Sequence, residues 1–405
     1  MEKKNVPKIR FPGFTEPWEQ RKIGECFKER KENMPEGELI SVTINEGIKK
    51  FSELGRHDNS NEDKSKYKKV CVGDIAYNSM RMWQGASGYS PYEGIVSPAY
   101  TILAPIEEVV DSKCISYLFK RQDMLRLFQV NSQGMTSDNW NLKFPILSEI
   151  NIMVSSNIKE QQKITTFFSM LDNLITLHHR KLENLKKQKK GLLQKMFPEK
   201  GKKVPEIRFP EFTNDWEQRK LGELSKSFEY GLNASAKEFD GENKYIRITD
   251  IDEESHNFMT DDLTSPNINL SNAGNYKLSR GDILFARIGA SVGKSYIYKE
   301  SDGIVYYAGF LIRARIKEEV NPEFVFQNTL TKDYEKYISV TSQRSGQPGV
   351  NAQEYAEYKI MVPNKEEQDK ISDYMRKFDN LISLHQRKLE HLQKQKKALL
   401  QQMFV

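Results

Sequence analysis

The chain has 405 residues, of which 29% are charged, and its formal net charge is +6. This length allows two or three domains, and the mildly positive charge is compatible with nucleic-acid binding without requiring it. No apolar run approaches the roughly 18 residues of a membrane span, and the N-terminus is charged, so we expect neither a membrane protein nor a signal peptide. The three cysteines form no CxxC pair, which argues against a disulfide framework or zinc site and favours a cytoplasmic protein.

Two blocks of sequence occur twice in the chain. Residues 9–25 follow the pattern I-R-F-P-x-F-T-x-x-W-E-Q-R-K-x-G-E, which residues 207–223 repeat. Residues 172–190 follow the pattern D-N-L-I-x-L-H-x-R-K-L-E-x-L-x-K-Q-K-K, which residues 379–397 repeat. A period of roughly 200 residues indicates a duplicated globular unit and not a solenoid array. The sequences between the repeated blocks have largely diverged. Because the blocks are nearly identical but the intervening segments differ, we predict that the two units share one kind of partner and bind two different targets.

Each globular unit is predicted to mix strands with short helices. Strands are predicted from apolar runs bounded by turn residues, at residues 72–77, 150–154, 280–285 and 358–362. Short helices are predicted at residues 112–129 and 322–337. Asp111 and Asn321 are suitable N-caps for them, and Pro322 stands at the first helical position. The expected fold class is therefore a mixed α/β globule that occurs twice.

Long helices without proline are predicted at residues 160–197 and 367–404. At 1.5 Å per residue, each helix would be roughly 55 Å long. Apolar residues recur along both helices with 4-3 spacing, which is typical of a coiled-coil seam. Two histidines in the seam are expected to fix its register or to lie at its edge rather than to bind a metal. The predicted seam residues are Leu171, Ile175, His178, Leu182, Leu185 and Leu192, and then Phe378, Ile382, His385, Leu389, Leu392 and Leu399.

The connectivity predicts how the two helices pair. A short linker leads from the first helix into the second globular unit, and the end of that unit starts the second helix. The second unit should therefore lie at the C-terminal end of one helix and the N-terminal end of the other. We expect an antiparallel coiled coil with a pseudo-two-fold axis. The predicted order is globule, helix, linker, globule and helix, at residues 1–159, 160–197, 198–205, 206–366 and 367–405.

Sequence motifs that carry catalysis are poorly matched. The loop at residues 289–295 resembles a phosphate-binding loop, but three residues instead of four separate its glycines, and a strand is predicted to follow it. Residues 321–324 resemble the Asn-Pro-Pro-aromatic motif of DNA methyltransferases, although Glu323 replaces the second proline and a helix cap explains the motif better. No catalytic constellation or metal site is predicted. The repeated aromatic residues Trp18 and Trp216 are expected to pack against the core of their units.

Polar loops rich in glycine are the best candidates for a recognition site. Residues 132–137 and 342–347 hold similar places in the two units, and their Arg, Gln and Ser/Thr side chains are of the types that read base edges. An ordinary solvated turn is the alternative for each loop. The candidate DNA-binding residues are Arg81, Trp83, Gln84, Gln133, Thr136 and Ser137 in the first unit, and Arg287, Lys294, Gln343, Arg344, Ser345 and Gln347 in the second.

Together, these motifs resemble those of the specificity subunit of type I restriction–modification enzymes. Each unit is opened by the F-P-x-F-x-x-x-W-E-x-R-K-x-G-E block, and residues 280–285 form an R-G-D-I-L-F strand. Residues 367–371 then read E-Q-x-K-I at the start of a coiled-coil helix. The resemblance covers essentially the whole chain. Residues 346–351 are especially similar to the family, whereas the first unit has Gln-Gly-Met-Thr at residues 133–136 instead.

The resemblance implies a function as well as a fold. The globular units at residues 1–159 and 206–366 would be target recognition domains, each reading one half of a split double-stranded DNA sequence. The helices would set the spacing between the half-sites. The subunit would perform no chemistry and bind no cofactor. It would join two methyltransferase subunits, which use S-adenosylmethionine, to restriction subunits that use ATP and Mg²⁺.

Two other functions fit parts of the sequence. A free-standing DNA-binding regulator with two reading heads would bind DNA tightly without a partner, whereas the specificity subunit should bind well only with its methyltransferases. A self-sufficient restriction and methylation enzyme would need cofactor and catalytic motifs that the sequence does not show. A methyltransferase gene beside the gene for this chain would favour the specificity subunit.

Overall fold

The computed structural model describes residues 5–44, 47–55, 57–58, 60–344 and 346–405. The chain forms two compact units. Unit 1 contains the chain up to His179 together with Gln386–Val405, and unit 2 contains Arg180–His385. Each unit therefore includes a segment of both long helices. Over the described ranges, no helix has a stretch that is long and apolar enough to span a membrane.

Unit 1 is built on a four-stranded antiparallel sheet with the strand order β2-β9-β6-β7. Three strand pairs, β1-β10, β3-β4 and β5-β8, surround it. The strands are β1 (Glu19–Lys22), β2 (Phe27–Glu29), β3 (Ile40–Thr43), β4 (Gly47–Lys50), β5 (Lys68–Val70), β6 (Ile75–Asn78), β7 (Ser87–Tyr89), β8 (Gly94–Val96), β9 (Tyr100–Pro105) and β10 (Asn151–Val154). The helices are α1 (Ile23–Cys26), α2 (Ser112–Leu118), α3 (Gln122–Asn131), α4 (Phe144–Leu147) and the first part of α5 (Ile158–Met196).

Unit 2 has a four-stranded sheet with the matching order β12-β19-β16-β17. Its other pairs are β11-β20, β13-β15 and the parallel pair β14-β18. The strands are β11 (Glu217–Lys220), β12 (Ser225–Tyr230), β13 (Ala236–Glu238), β14 (Lys244–Ile246), β15 (Thr264–Pro266), β16 (Asp282–Ala286), β17 (Ser295–Ile297), β18 (Val305–Tyr307), β19 (Leu311–Ile316) and β20 (Lys359–Val362). The helices are α6 (Leu221–Leu224), α7 (Pro322–Asn328), α8 (Lys332–Thr341), α9 (Ala352–Ala356), the last part of α5 and the first part of α10 (Lys365–Gln402), whose last part belongs to unit 1.

The central strands of both sheets are buried on both faces, because alternate residues pack into the main apolar core of the unit or into a second apolar cluster. Ile75 pairs with Leu103 in unit 1, and Ile283 pairs with Ala314 in unit 2. All four side chains are fully buried, and they belong to the main apolar core of their unit or lie against it. The predicted mixture of strands and helices is therefore confirmed, and the predicted strands lie within a few residues of β6, β10, β16 and β20.

The short helices differ from their prediction. Residues 112–129 form two helices, α2 and α3, and residues 322–337 likewise divide into α7 and α8. The prediction of one continuous helix was wrong in unit 2 because the Thr331 side chain accepts a hydrogen bond from the backbone N–H of Tyr334 and starts a new helix. The predicted caps are confirmed. Asp111 accepts from the N–H of Cys114, and Asn321 accepts from the N–H groups of Glu323 and Phe324.

A buried glutamate joins the repeated N-terminal block of each unit to its long helix. Glu160 accepts hydrogen bonds from Arg10 at 2.6 and 2.9 Å and from the indole of Trp18 at 3.2 Å. Arg208 and Trp216 bind Glu367 in the same way, with Arg208 at 2.8 Å from both carboxylate oxygens and Trp216 at 3.3 Å. The two tryptophans are almost completely buried, which confirms that they pack into the core. Their polar partners in the helix were not predicted.

Helices α5 and α10 contact each other inside each unit. In unit 1, Lys396 forms an ion pair with Asp172, and the rings of Phe168 and Phe404 stack with centroids 6.1 Å apart. In unit 2, Lys189 forms the corresponding ion pair with Asp379 at 2.6 Å. The residues of the predicted seam are all buried or half-buried, with Leu182, Leu185, His385 and Leu389 among the most buried.

Candidate nucleic-acid interface

Two loops lie side by side in unit 2, where strand β16 ends. The first loop comprises residues 287–294, and the second comprises residues 342–351. The backbone N–H of Val350 donates to the carbonyl of Arg287 at 2.9 Å, and the N–H of Gly289 donates to the carbonyl of Pro348 at 2.9 Å. The two loops predicted to recognise DNA in this unit therefore form one surface, which we call the unit 2 loop pair.

Tight packing shapes the glycine-rich loop of this pair. Gly293 has a φ of 86°, and a Cβ atom there would lie 2.6 Å from the side chain of Ile338. Its N–H donates to the hydroxyl of Tyr355 at 3.2 Å, and its carbonyl accepts from the hydroxyl of Tyr334 at 2.9 Å. Burial raises the pKa of the Tyr355 hydroxyl. The following residues form strand β17 and no helix, so this loop is a structural turn rather than a phosphate-binding loop.

Arg287 lies between two aromatic rings in the unit 2 loop pair. Its guanidinium carbon is 5.1 Å from the ring centroid of Tyr230 and 5.8 Å from that of Phe310, within the range of cation–π contacts. Its Nε donates to the carbonyl of Gly309 at 3.1 Å. Both rings are unusually accessible for aromatic side chains, since Tyr230 is 46% exposed and Phe310 is 52% exposed. These contacts therefore hold the guanidinium at a surface that water still reaches.

The other candidates of unit 2 are held differently. Arg344 donates through Nη1 to the carbonyls of Thr341 and Gln343, and its Nη2 pairs with Glu354. Lys294 is half-buried and lies 3.7 Å from the carboxylate of Glu253. Three further candidates belong to the second loop. Gln343 and Gln347 are exposed, whereas Ser345 lies outside the described residues.

Unit 1 has a loop contact of the same kind. The N–H of Leu142 donates to the carbonyl of Ser79 at 2.9 Å, which corresponds to the contact of Val350 with Arg287 in unit 2. The backbones of Gln133 and Asn141 exchange hydrogen bonds of 3.0 and 2.8 Å across the base of the loop at residues 133–141. Three side chains of the loop are solvent-exposed candidates, namely Gln133, Thr136 and Ser137. This loop and the turn that contains Arg81, Trp83 and Gln84 are together called the unit 1 loop pair.

The first candidate turn of unit 1 lies against this loop. Arg81 is exposed and donates through Nη1 to the side-chain oxygen of Gln84 at 3.1 Å. Trp83 donates to the carbonyl of Met80 and contacts Trp140 with ring centroids 5.2 Å apart. Trp140 lies in the loop at residues 133–141, so the structure brings both sets of unit 1 candidates together.

A half-buried lysine is hydrogen-bonded to that turn. Lys120 donates through Nζ to the carbonyl of Gly85 at 2.5 Å and to the carbonyl of Ile44 at 3.0 Å. Burial, and to a smaller extent the charge of Lys396, lowers the pKa of Lys120 to about 8. The lysine therefore ties the turn that carries Trp83 to the hairpin of β3 and β4.

Unit 1 has a cavity at the place that corresponds to the aromatic stack of unit 2. The cavity has a volume of about 340 Å³, and its walls include Ser79, Ala99 and Asn141. The side-chain oxygen of Asn141 is buried and has no hydrogen-bond partner among the described residues. Strand registers place Ser79 and Ala99 where unit 2 has Arg287 and Phe310. The two units therefore present different chemistry at equivalent positions.

Sequence reasoning missed four residues of these surfaces. They are the aromatic residues Tyr230, Phe310 and Trp140, and also Met135, which is completely exposed at the tip of its loop. Trp140 stands close to a polar loop in the sequence, and this position could have identified it. Nothing in the local sequence distinguishes an exposed Phe310 from a core phenylalanine, because its exposure depends on strands far away in the chain.

Side chains that could hold a metal do not cluster in the described part of the chain. There, no group of three or more His, Cys, Asp or Glu side chains has a suitable arrangement. Cys26 and Cys114 are buried free thiols, and burial raises the pKa of Cys26 to about 11. The Asn-Pro-Glu-Phe segment caps helix α7 through Asn321, as the alternative reading of this motif predicted.

Comparison with known proteins defines the class to which this architecture belongs. The family model described as the type I restriction modification DNA specificity domain matches residues 15–187 and again residues 213–394. The chain belongs to this family. Its resemblance to specificity subunits, first noted from the repeated blocks, is thereby confirmed.

Relatives of similar length carry the same description. The chain is 24% identical to the type I restriction enzyme MjaVIII specificity subunit of Methanocaldococcus jannaschii over 98% of this chain and 93% of that protein. It is 23% identical to the HindI specificity subunit of Haemophilus influenzae over 47% of this chain and 41% of that protein. Among solved structures, the S subunit of a type I restriction–modification system from M. genitalium superimposes with a TM-score of 0.61 and 16% identity, over 99% of both chains.

Proposed function

We propose that this chain is the non-catalytic specificity subunit of a type I restriction–modification complex and binds double-stranded DNA at a bipartite sequence. The observation that carries this proposal is the pair of polar loops that recurs at equivalent places in both units. In each unit, the loop after the central strand, β6 or β16, is hydrogen-bonded to a second loop. That second loop contains Gln and Ser in both units, together with Thr in unit 1 and Arg in unit 2. Side chains of these types can read the edges of base pairs in the major groove.

Each unit reads its own half of the target in this proposal. The unit 1 loop pair presents Arg81, Gln133 and Thr136 to solvent, whereas the unit 2 loop pair presents Gln343 and Gln347 beside Arg287. Because the exposed side chains differ, the two half-sites should differ in sequence. The family model describes a DNA specificity domain and matches the chain twice, which supports one half-site per unit.

The long helices act as the spacer between the half-sites. We take them to form an antiparallel coiled coil related by the proposed pseudo-two-fold axis. Two ion pairs support this arrangement, Asp172 with Lys396 in unit 1 and Lys189 with Asp379 in unit 2, because in each case a residue of the repeated block of one helix binds the other helix. The burial of the predicted seam residues also supports it. The domain boundaries remain those expected from the sequence.

Partner subunits supply the chemistry. Two methyltransferase subunits bind the duplicated frame, carry S-adenosylmethionine and methylate a target adenine, which must leave the base stack to be reached. Restriction subunits bring ATP and Mg²⁺. The chain itself holds no cofactor and works in the cytoplasm, where its DNA target lies.

Exchange of one recognition segment tests the proposal. Residues 224–366 are replaced by the corresponding segment of a different specificity subunit, and methylated adenines are mapped across the genome of cells that carry the chimera and its methyltransferase. We expect one half-site to change and the other to persist. Exchange of residues 26–159 is the mirror control, which should change the opposite half-site.

Three results would contradict the proposal. A chimera in which both half-sites change would refute the assignment of one half-site to each unit. Methyl transfer by the purified chain alone would refute its non-catalytic role. Tight and sequence-specific binding by the chain alone, unaffected by methyltransferase, would instead identify a free-standing regulator.

A further inference from the structure

We infer that Arg287, held between Tyr230 and Phe310, reads a guanine in the half-site of unit 2. This inference rests on the proposed function and adds the residue and the base to it. The guanidinium carbon lies over both rings, 5.1 and 5.8 Å from their centroids, and its Nε donates to the carbonyl of Gly309. Two cation–π contacts and one hydrogen bond together restrain the guanidinium before any DNA arrives.

The backbone of Arg287 is equally well fixed. Its N–H donates to the carbonyl of Phe310 at 3.0 Å, and its carbonyl accepts from the N–H of Val350 at 2.9 Å. It directly follows strand β16, the centre of the four-stranded sheet. A side chain that is positioned in this way loses little conformational freedom on binding, which favours both affinity and selectivity.

The terminal nitrogens of Arg287 remain available. Among the described residues, Nη1 and Nη2 have no hydrogen-bond partner, because only Nε makes a hydrogen bond. Two parallel N–H donors at the end of a guanidinium match the O6 and N7 acceptors of guanine, which is the commonest specific contact of arginine with DNA. Adenine and thymine offer no such pair of acceptors in the major groove.

Arg344 does not meet the same requirement, although it lies in the polar loop that the sequence favoured. Its Nη1 binds the carbonyls of Thr341 and Gln343, and its Nη2 pairs with Glu354. A base contact through these atoms would first break hydrogen bonds that hold its own loop. Arg344 therefore shapes the loop, whereas Arg287 is ready to contact a base.

The exposed rings indicate what covers the site. Tyr230 and Phe310 each keep about half of their surface in contact with water, and they flank a positive charge with open donors. The occupant must offer hydrogen-bond acceptors at its centre and apolar surface beside them. A guanine with a neighbouring base, whose thymine methyl group or π-face can cover Phe310, satisfies both conditions.

In its described part, unit 1 has no equivalent of the contact between Arg287 and two aromatic rings. Ser79 and Ala99 occupy the positions of Arg287 and Phe310, and a cavity of about 340 Å³ lies there instead of the stacked rings. The guanine read by Arg287 should therefore belong to one half-site only. The half-site of unit 1 therefore serves as an internal control, because its base preferences should not change when Arg287 is substituted.

Substitution of Arg287 tests the inference in the complex with methyltransferase subunits. Plasmids with a randomised target are methylated, and the frequency of each base in methylated molecules is measured by sequencing. For Arg287→Ala, we expect the preference for guanine at one position of one half-site to fall about 5- to 150-fold. Phe310→Leu should weaken the same preference by releasing the guanidinium.

Matched controls separate base reading from charge and loop structure. Arg280→Ala removes another exposed arginine of unit 2, just before strand β16, and should change no base preference. Arg344→Ala should lower methylation of all targets without altering the preference for guanine at that position. A guanine preference that survives Arg287→Ala, or that is lost with Arg344→Ala alone, would overturn the inference. If the methylated sequence did not depend on this chain at all, the proposed function itself would fail.

Discussion

The indole of Trp216 donates a hydrogen bond of 3.3 Å to the carboxylate of Glu367, which lies in the first turn of helix α10 and is completely buried. Arg208 binds both oxygens of the same carboxylate. This contact joins two parts of the repeated sequence that are about 150 residues apart in the chain. It explains why the tryptophan and the glutamate occur together in both copies.

Removal of this glutamate should destabilise unit 2. Glu367→Ala leaves Arg208 without its partner in a largely buried position, which typically costs about 3–5 kcal/mol in the free energy of unfolding. The loss is measured by chemical denaturation. Glu366→Ala is the control, because Glu366 lies in the same helical turn but is exposed. Equal losses for both variants would show that the effect arises from the charge of the helix terminus and not from the buried contact.

Lengthening both helices should widen the DNA target. Insertion of seven residues after residue 180 and after residue 387 keeps the heptad register and adds roughly 10 Å of helix, since each residue contributes 1.5 Å. At 3.4 Å per base pair, the gap between the half-sites should grow by about three base pairs, while both half-sites stay the same. Mapping of methylated adenines measures the gap. The control is insertion into one helix only, which should abolish methylation. An unchanged gap with both insertions would contradict the spacer role.

Exposed leucines of the repeated block should dock the methyltransferases. Leu177 is 60% exposed and Leu384, its counterpart, is 41% exposed. Since one kind of partner should bind both copies, Leu177→Asp should reduce the complex from two methyltransferase subunits to one, and Leu177→Asp with Leu384→Asp should remove both. Native mass measurement of the reconstituted complex gives the stoichiometry. Ile268→Asp, at an exposed apolar residue elsewhere in unit 2, should leave two subunits bound. A wild-type complex with a single methyltransferase that is fully active would refute the duplication of the docking site.

His256 should make unit 2 sensitive to acid. Burial lowers the pKa of its imidazole, whose Nδ1 lies 2.9 Å from the carbonyl of Ser295. As the pH falls below the ordinary histidine pKa of about 6.5, the unfolded chain takes up a proton that the folded chain binds poorly, so the free energy of unfolding decreases. His256 also has a φ of 54°, a conformation that asparagine tolerates well. His256→Asn should therefore keep the turn and reduce the loss of stability between about pH 6.5 and 5.

Denaturant unfolding at several pH values measures this slope. His391→Asn is the control, because His391 is exposed on helix α10, and it should keep the slope of the wild type. If the wild type, His256→Asn and His391→Asn all lost stability equally in acid, other groups would be responsible.

Most of the fold could be predicted because its signals are local. Asp111 and Asn321 cap helices at the predicted residues, and the apolar runs at 72–77 and 280–285 contain the central strands. The 4-3 spacing likewise identified the long helices to within two residues at either end. The interruption between α7 and α8 was missed, because continuous helical propensity does not show that Thr331 will cap a second helix. Local patterns also located the polar loops, although not their contacts.

By itself, the sequence determined the repeated blocks, the long helices, the family resemblance and the loops that carry polar side chains. Only the tertiary structure decided which of two arginines, Arg287 or Arg344, keeps its terminal N–H donors available for a base. Arg344 is bound by Glu354, ten residues away, whereas Arg287 makes cation–π contacts with rings from strand β12 and from the loop before β19. Whether the donors of an arginine are all hydrogen-bonded, and whether Phe310 is exposed, depends on how strands distant in the sequence pair. Spacing along the chain describes local geometry, and it does not specify which groups from remote segments meet in space.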